Sequence, residues 1–302
     1  MKKILLIFSV FAFTFLIFGT VNVCAQESES NDFFYTNVNG VKFTKAQYDN
    51  LSRVFSENTI ATFTQNMVDV LADDTTLFGS KGKTQYFKTD TYTDAFGNII
   101  AQYDTEVSKE EAENRTDRQL VLAGYPTHQT TYKRITINII ASWSSSRTIT
   151  VELTWITMPS TRSHDVIAIK PNRSYTINLT NISGYLEHNG SIVQSYTGNS
   201  SNVRNISGNG GVGLSMPLPT GGTSMSSGLT LVVITNNDPF DAYGSYQHAQ
   251  QSVTLSQSKA YNLTANGLTN IINFTNSTTA GKYDNMSAVN CSINYANLTP
   301  CS

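Results

Sequence analysis

Between Tyr132 and Trp155 the chain alternates with a period of two. Ile135, Ile137, Ile139, Ala141 and Trp143 share one parity, and Thr136, Asn138, Ile140 and Ser142 the other. After Ser144-Ser145-Ser146, Ile149, Val151, Leu153 and Trp155 alternate with Thr148, Thr150, Glu152 and Thr154. This predicts two half-buried antiparallel strands, one face in the core and one in water. The β-branched residues suit such a pleated surface. Shorter strand candidates follow at turn-separated intervals: 166–169, the run through Tyr175, Ile177 and Leu179, 185–188, 191–196, 229–235, 253–255 and 271–274. Asn189-Gly190 marks a two-residue hairpin turn. The pattern predicts a mainly β chain, an antiparallel β-sandwich or jelly-roll-like domain.

The first third reads differently. Thr44-Lys45-Ala46-Gln47 is a capping box opening a helix, with Tyr48, Leu51 and Phe55 at helical spacing. A second apolar face runs through Ile60, Phe63, Met67, Val70 and Leu71, so a small helical hairpin is expected. Gly79 to Gly82 reads as a polar break, and Gly97-Asn98 as a hairpin signal between β-prone runs. Ser108-Lys109-Glu110-Glu111 is a second capping box, starting a short solvated connector. The expected organisation is a signal at 1–25, a mobile leader at 26–40, a small α+β region at 41–125 and the sandwich at 126–302.

The N-terminus has the form of an export signal. Lys2 and Lys3 precede an apolar run over 4–19, and Val23-Cys24-Ala25 precedes a polar stretch. Cleavage after Ala25 is favoured over an uncleaved anchor. Val23 is too large for a lipobox, so a lipid on Cys24 is the lesser reading. Leu218-Pro219-Thr220-Gly221 is mid-chain and reads as a loop, not a sorting signal. With Cys24 removed, Cys291 and Cys301 remain and are expected to pair in an oxidising compartment. So short a loop gains roughly 2–3 kcal/mol and pins the C-terminus.

Composition narrows the function. Charged residues are 14% of the chain, against about a quarter ordinarily, so Ser, Thr, Asn and Gln must build the surface. The 15 Tyr and 15 Phe oppose global disorder. A net charge of −2 with no basic stripe argues against a nucleic-acid partner. His128, His164, His188 and His248 show no metal-ligand spacing. Neighbours on a strand face opposite ways, so His164-Asp165 reads as a strand-edge polar pair. The run Gly208-Asn209-Gly210-Gly211-Val212-Gly213 lacks a following helix and a phosphate lysine, and reads as a surface loop. Asn236, Asn237, Asp238 and Asp241 form a calcium-loop candidate through Asp238 and Asp241, set against ordinary Asx turn chemistry, which is preferred. Glu152 and Glu187 stand in no recognisable glycosidase setting. Sequons such as those at Asn172 and Asn205 carry little weight in a bacterial-type exported chain.

Tyr243-Gly244-Ser245-Tyr246-Gln247-His248-Ala249 and Ser252-Val253-Thr254-Leu255-Ser256, with Gly211-Val212-Gly213-Leu214-Ser215-Met216, resemble uncharacterised secreted proteins of Gram-positive bacteria. The resemblance covers the C-terminal half. It implies export and a β domain, and brings no activity or site residue with it. The expected function is a secreted, non-enzymatic surface component or binding module, with a cell-wall or host glycan as the partner considered. The alternatives are a carbohydrate-active hydrolase with scattered acids around Asp238, Asp241 or Glu152, and a β pore-forming toxin. Tyr and Trp beside Ser, Thr and Asn suit sugar contact, but Tyr175, Trp143 and Trp155 lie on apolar parities and are expected in the core.

Overall fold

Thr44 opens the first helix as its capping box predicts: its hydroxyl accepts from Gln47 N, and the Gln47 side chain accepts from Thr44 N. In the computed structural model, which describes residues 33–71, 77–96, 98–114, 127–142, 145–206, 210–264 and 270–294, helix α1 (Lys45–Ser52) follows a small ladder of β1 (Tyr35–Thr36) and β2 (Lys42–Phe43). The expected signal, the first part of the leader (26–32), Trp143 and Cys301 lie outside the described residues. The second apolar face forms two helices, α2 (Glu57–Ile60) and α3 (Gln65–Leu71). Two hydroxyls divide it: Ser56 Oγ accepts from Thr59 N at 3.3 Å, and Thr64 Oγ1 from Met67 N at 3.2 Å.

The alternating stretch forms the centre of a seven-stranded antiparallel sheet, ordered β4-β3-β5-β6-β12-β8-β9. Its strands are β3 (Leu77–Thr93), β4 (Ile99–Val107), β5 (Thr127–Ser142), β6 (Ser146–Trp155), β8 (Ile182–His188), β9 (Ser191–Thr197) and β12 (Met225–Ile234). A five-stranded antiparallel sheet, ordered β10-β11-β7-β13-β16, packs against it. It comprises β7 (His164–Pro171), β10 (Val203–Ile206), β11 (Gly211–Pro217), β13 (Phe240–Gln247) and β16 (Val289–Ile293). Ile135, Ile137, Ile139, Ile149, Val151 and Leu153 meet Ile167, Ile169, Leu214, Met216 and Ala242 in the core between them. The mainly β sandwich expected from periodicity is the observed fold.

Both sheets are also covered on the outside. Ile140 and Val232 join Phe43, Leu51, Phe63 and Met67 in a second core beneath the N-terminal helices. Thr148 and Thr150, expected in water, are buried there, and Ser146, expected in the turn, is the buried first residue of β6. Outside the small sheet, Val166 and Ala168 pack against Val253, Tyr261, Leu263 and Ile271. That cover carries the pair β14 (Tyr261–Leu263) and β15 (Ile272–Phe274) and two short helices, α5 (Leu255–Ser258) and α6 (Ser277–Ala280).

Several local expectations are corrected. The hairpin placed with the 41–125 region belongs to the large sheet: β3 pairs with β5 from Leu77↔Ser142 to Thr93↔Thr127. Gly79 to Gly82 is no break, because that ladder supplies the main-chain partners through it. Residues 253–255 open helix α5, since Thr254 and Gln257 form a capping box. The run through Tyr175 to Leu179 is not a strand and ends in a 3-10 turn, Leu179–Asn181, capped by Asn178. The glycine-rich run does not remain a loop; from Gly211 it is buried strand β11. Gly213 is needed there, because a Cβ would strike the Tyr261 ring. The Asn189-Gly190 turn joins β8 to β9 with φ of 53° and 79°, as its sequence predicts. The second serine box likewise caps a helix, α4 (Lys109–Glu113), through Ser108 Oγ and Glu111 N.

Ile137→Ala is expected to lower the unfolding free energy by about 3 kcal/mol, the usual result of emptying a fully packed aliphatic site. Thr84→Ala, at an exposed position of the same sheet, should change it by less than about 0.5 kcal/mol. Urea denaturation of both variants checks the assignment of faces, and equal effects would contradict it.

Candidate functional site

The register of β4, β3 and β5 builds an outward-facing surface at one end of the large sheet. Tyr103 pairs with Asp90 and Asp90 with Thr130; Ala101 pairs with Tyr92 and Tyr92 with His128. These side chains share one parity, whereas Phe87, Thr89, Thr91 and Thr131 on the other parity are buried. Asp90 is the hub. Its carboxylate accepts from Thr130 Oγ1 at 2.6 Å and Lys88 Nζ at 3.0 Å, and lies 2.9 Å from His128 Nε2. Burial alone would raise the Asp90 carboxyl, but the bonds from Thr130, Lys88 and His128 outweigh it and hold it below the usual range. The Lys88 ammonium is correspondingly raised, chiefly by its hydrogen bond to Asp90.

Aromatic rings stand beside this hub. Tyr92 stacks on His128 with centroids 4.5 Å apart and meets Tyr103 edge-on at 6.1 Å. Tyr103 is 61% exposed. Beyond it, the β3–β4 turn is held by Asp94, whose Oδ1 accepts from Phe96 N and Asn98 N, both at 2.8 Å. That locked turn presents Phe96 at 91% exposure.

A second polar cluster is sealed between the sheets. Lys133 Nζ contacts Asp284 Oδ2, and both side chains are 0% exposed. Asp284 Oδ1 accepts from His248 N at 2.8 Å. Asp165 accepts from Ala249 N at 2.9 Å and from the Tyr246 hydroxyl, and both its oxygens lie 2.9 Å from His248 Nδ1. Burial, reinforced by Asp165, pushes the Tyr246 phenol well above its ordinary value, so it stays a donor. Trp155 Nε1 donates to the Tyr246 hydroxyl at 3.2 Å.

Asp165 is thus no strand-edge residue, and its partner is His248 from β13's end, not His164, whose Nδ1 lies 3.0 Å from Val253 O. The missed signal was the parity of Lys133, which continues the row of Ile135, Ile137 and Ile139. Asp238 is exposed, and Asp241 Oδ2 accepts from Asn172 Nδ2 at 2.8 Å. Among the described residues, no group of three or more His, Cys, Asp or Glu side chains is gathered as metal ligands would be. Cys291 is a buried free thiol donating to Lys81 O at 3.3 Å, and its expected partner Cys301 lies outside the described residues. Glu152 accepts from Ser56, Thr59 and Tyr185, so it ties the N-terminal layer to the sheet. Trp155 is core, as expected, and Tyr175 packs against that core with its hydroxyl accepting from Asn237 Nδ2 at 3.0 Å. Among the described residues, no helix is long and apolar enough to cross a membrane.

No protein-family model and no curated protein matches the chain. Among solved structures, it is similar to the collagen-binding domain of a Staphylococcus aureus adhesin, at 9% identity and a TM-score of 0.29, over 49% of this chain and 87% of that one. It is also similar to the collagen adhesin of S. aureus, at 8% identity and a TM-score of 0.25, over 56% of this chain and 73% of that one. Likenesses this low say nothing of ligand or partner.

The depressed Asp90 carboxyl contributes stability present above its unfolded pKa and lost as pH falls through its folded value. A carbon-detected NMR titration should place the Asp90 midpoint below about 3.9, the ordinary aspartate value. Combining Lys88→Met with Thr130→Val should raise that midpoint, because burial then meets less opposition. A parent midpoint at or above the ordinary value contradicts the hub.

Proposed function

We propose that the protein is an extracellular, non-enzymatic binding module whose contact surface is the outer face of the β3–β5 ribbon, and that its ligand is a glycan. The observation carrying this reading is the exposure of Tyr103 beside the Asp90 hydrogen-bonding hub, with Phe96 held out at the adjoining turn. An aromatic face beside neutral and charged hydrogen-bonding groups matches a sugar ring, which has one apolar side and a rim of hydroxyls. The export-type N-terminus supports an extracellular setting.

Two of the three acids considered for a hydrolase, Glu152 and Asp241, are engaged in bonds within the fold, while Asp238 is exposed. Glu152 holds two hydroxyls of the N-terminal layer and Tyr185, Asp165 is sealed in the core, and Asp241 is bonded to Asn172.

Binding to purified cell-wall polysaccharide and to a panel of immobilised host glycans tests the reading. Tyr103→Ala is expected to weaken binding by about tenfold, the order set by loss of one aromatic contact. Phe96→Ala should act in the same direction, and neither exposed substitution should change the unfolding temperature. Unaltered binding by the double variant, or catalytic turnover of any panel member, would overturn it.

A further inference from the structure

Lys133 is forced inward by its position. It lies on β5 in the parity of Ile135, Ile137 and Ile139, directly opposite Trp155 on β6. Its Nζ lies 5.1 Å from the centre of the Trp155 ring and touches Asp284 Oδ2, with neither side chain reaching solvent. An ion pair in such a place is a poor arrangement, because desolvating two charges rivals or exceeds their mutual attraction. An amine and a carboxyl in contact have another way to lose both charges.

We propose that Lys133 and Asp284 become joined by an intramolecular amide bond between Nζ and Cγ, formed after folding with release of one water. The nitrogen lone pair makes the Nζ–Cγ bond. The Cγ–Oδ2 bond breaks with its electron pair going to oxygen. Two protons of the ammonium leave on that oxygen as water, and the third stays on the amide nitrogen. Charge balances, and no oxidant, reductant or further reactant enters.

The surroundings fit each part of this step. Lys133 contacts Oδ2, the oxygen that departs. His248 N–H donates at 2.8 Å to Oδ1, the oxygen that stays and carries negative charge in the tetrahedral intermediate. Asp284 N–H bonds in return to the His248 carbonyl at 3.0 Å, which holds the two segments in register. The His248 ring is fixed by Asp165 and meets Trp155 edge-on at 4.8 Å, so Asp165 and His248 act as positioning residues. Burial pushes the Asp284 carboxyl up to about 6 despite the opposing charge of Lys133, which favours the neutral acid that an amine can attack. Reactants held in contact without water between them gain the advantage of an intramolecular reaction. The product satisfies the site as well: its carbonyl keeps the His248 hydrogen bond, and no charge remains on either residue. The bond would span 151 positions, linking β5 of the large sheet to the segment before β16 of the small one.

Tryptic digestion of the full chain followed by mass spectrometry tests this directly. Joining removes the cleavage site at Lys133, so peptide 119–134 is expected covalently attached to peptide 283–302. Their combined mass should fall short of the sum by one water, about 18 Da, and the intact chain should show the same deficit. Lys133→Met should restore the full mass and release both peptides. Recovery of unjoined peptides 119–133 and 283–302 from the parent protein overturns the proposal whatever the variant does. So does a water deficit that persists in Lys133→Met, because the loss would then arise elsewhere.

Discussion

A strand with two-residue periodicity can place one face in oil, yet the central strands of this protein have both faces out of water. That constraint organises the molecule. The inner faces of the two sheets close on each other through rows of Ile, Val and Leu. The outer faces carry Ile140 and Val232 on one side, and Val166 and Ala168 on the other, and each needs a lid. The N-terminal helices supply the first, and the segment from Ala249 to Ala288 the second. Among the described residues, the lids leave uncovered the end of the large sheet where β3, β4 and β5 run together, and there the outward parity turns from Ile and Val to Tyr, His, Asp and Lys. The exposed aromatic face is thus what remains of the large sheet once its apolar outer surface is covered.

The parts of this arrangement legible in the sequence are those set by neighbours along the chain. The capping box at Thr44, the hairpin at Asn189-Gly190 and the inward row from Ile135 to Leu153 are local physics, and each forms where it was read, although the opposite face of those strands is covered in part. The same local logic was available at Thr254, where a capping box lay inside an apparent Val-Thr-Leu strand and prevailed over β propensity. The errors at Gly211 and at Thr148 and Thr150 have one cause. Glycine and threonine look like surface residues until a layer from elsewhere in the chain covers them, and nothing in the local pattern announces Tyr261 or the N-terminal helices. The sites were less legible for a related reason. The Asp90 hub needs the β3–β5 register, and the buried cluster draws on Lys133, Trp155, Asp165, Tyr246, His248 and Asp284, far apart in sequence. Only the parity of Lys133, a cation in a row of isoleucines, marked the cluster in advance.

Two buried cations lie on the inner parity of neighbouring strands, and they are accommodated differently. Arg147 stands at the start of the β6 row and donates to the carbonyls of Ser146 and Asn237, at 2.8 and 3.4 Å. A guanidinium has donors enough to be held by neutral carbonyls and does not lose its proton. Lys133, on β5, has a compact nitrogen head group, and it faces a carboxyl. The difference lies in what each group can become. A guanidinium stays charged whatever holds it, whereas the Lys133 nitrogen is beside a carboxyl with which it can form a neutral bond.

That chemistry bears on the outward surface, because one strand serves both. β5 carries Lys133 on its buried parity and His128 and Thr130 on its exposed one. A strand fixed at Lys133 to the opposite sheet cannot shift its register against β3 without dragging the Asp284 segment with it. The Tyr92–His128 stack and the bonds converging on Asp90 depend on that register. Preorganisation of a binding face is normally obtained from packing around it. Here the rings face solvent and have little packing of their own, so their alignment has to come from the strand beneath them, in which Lys133 is held against Asp284 of the opposite layer.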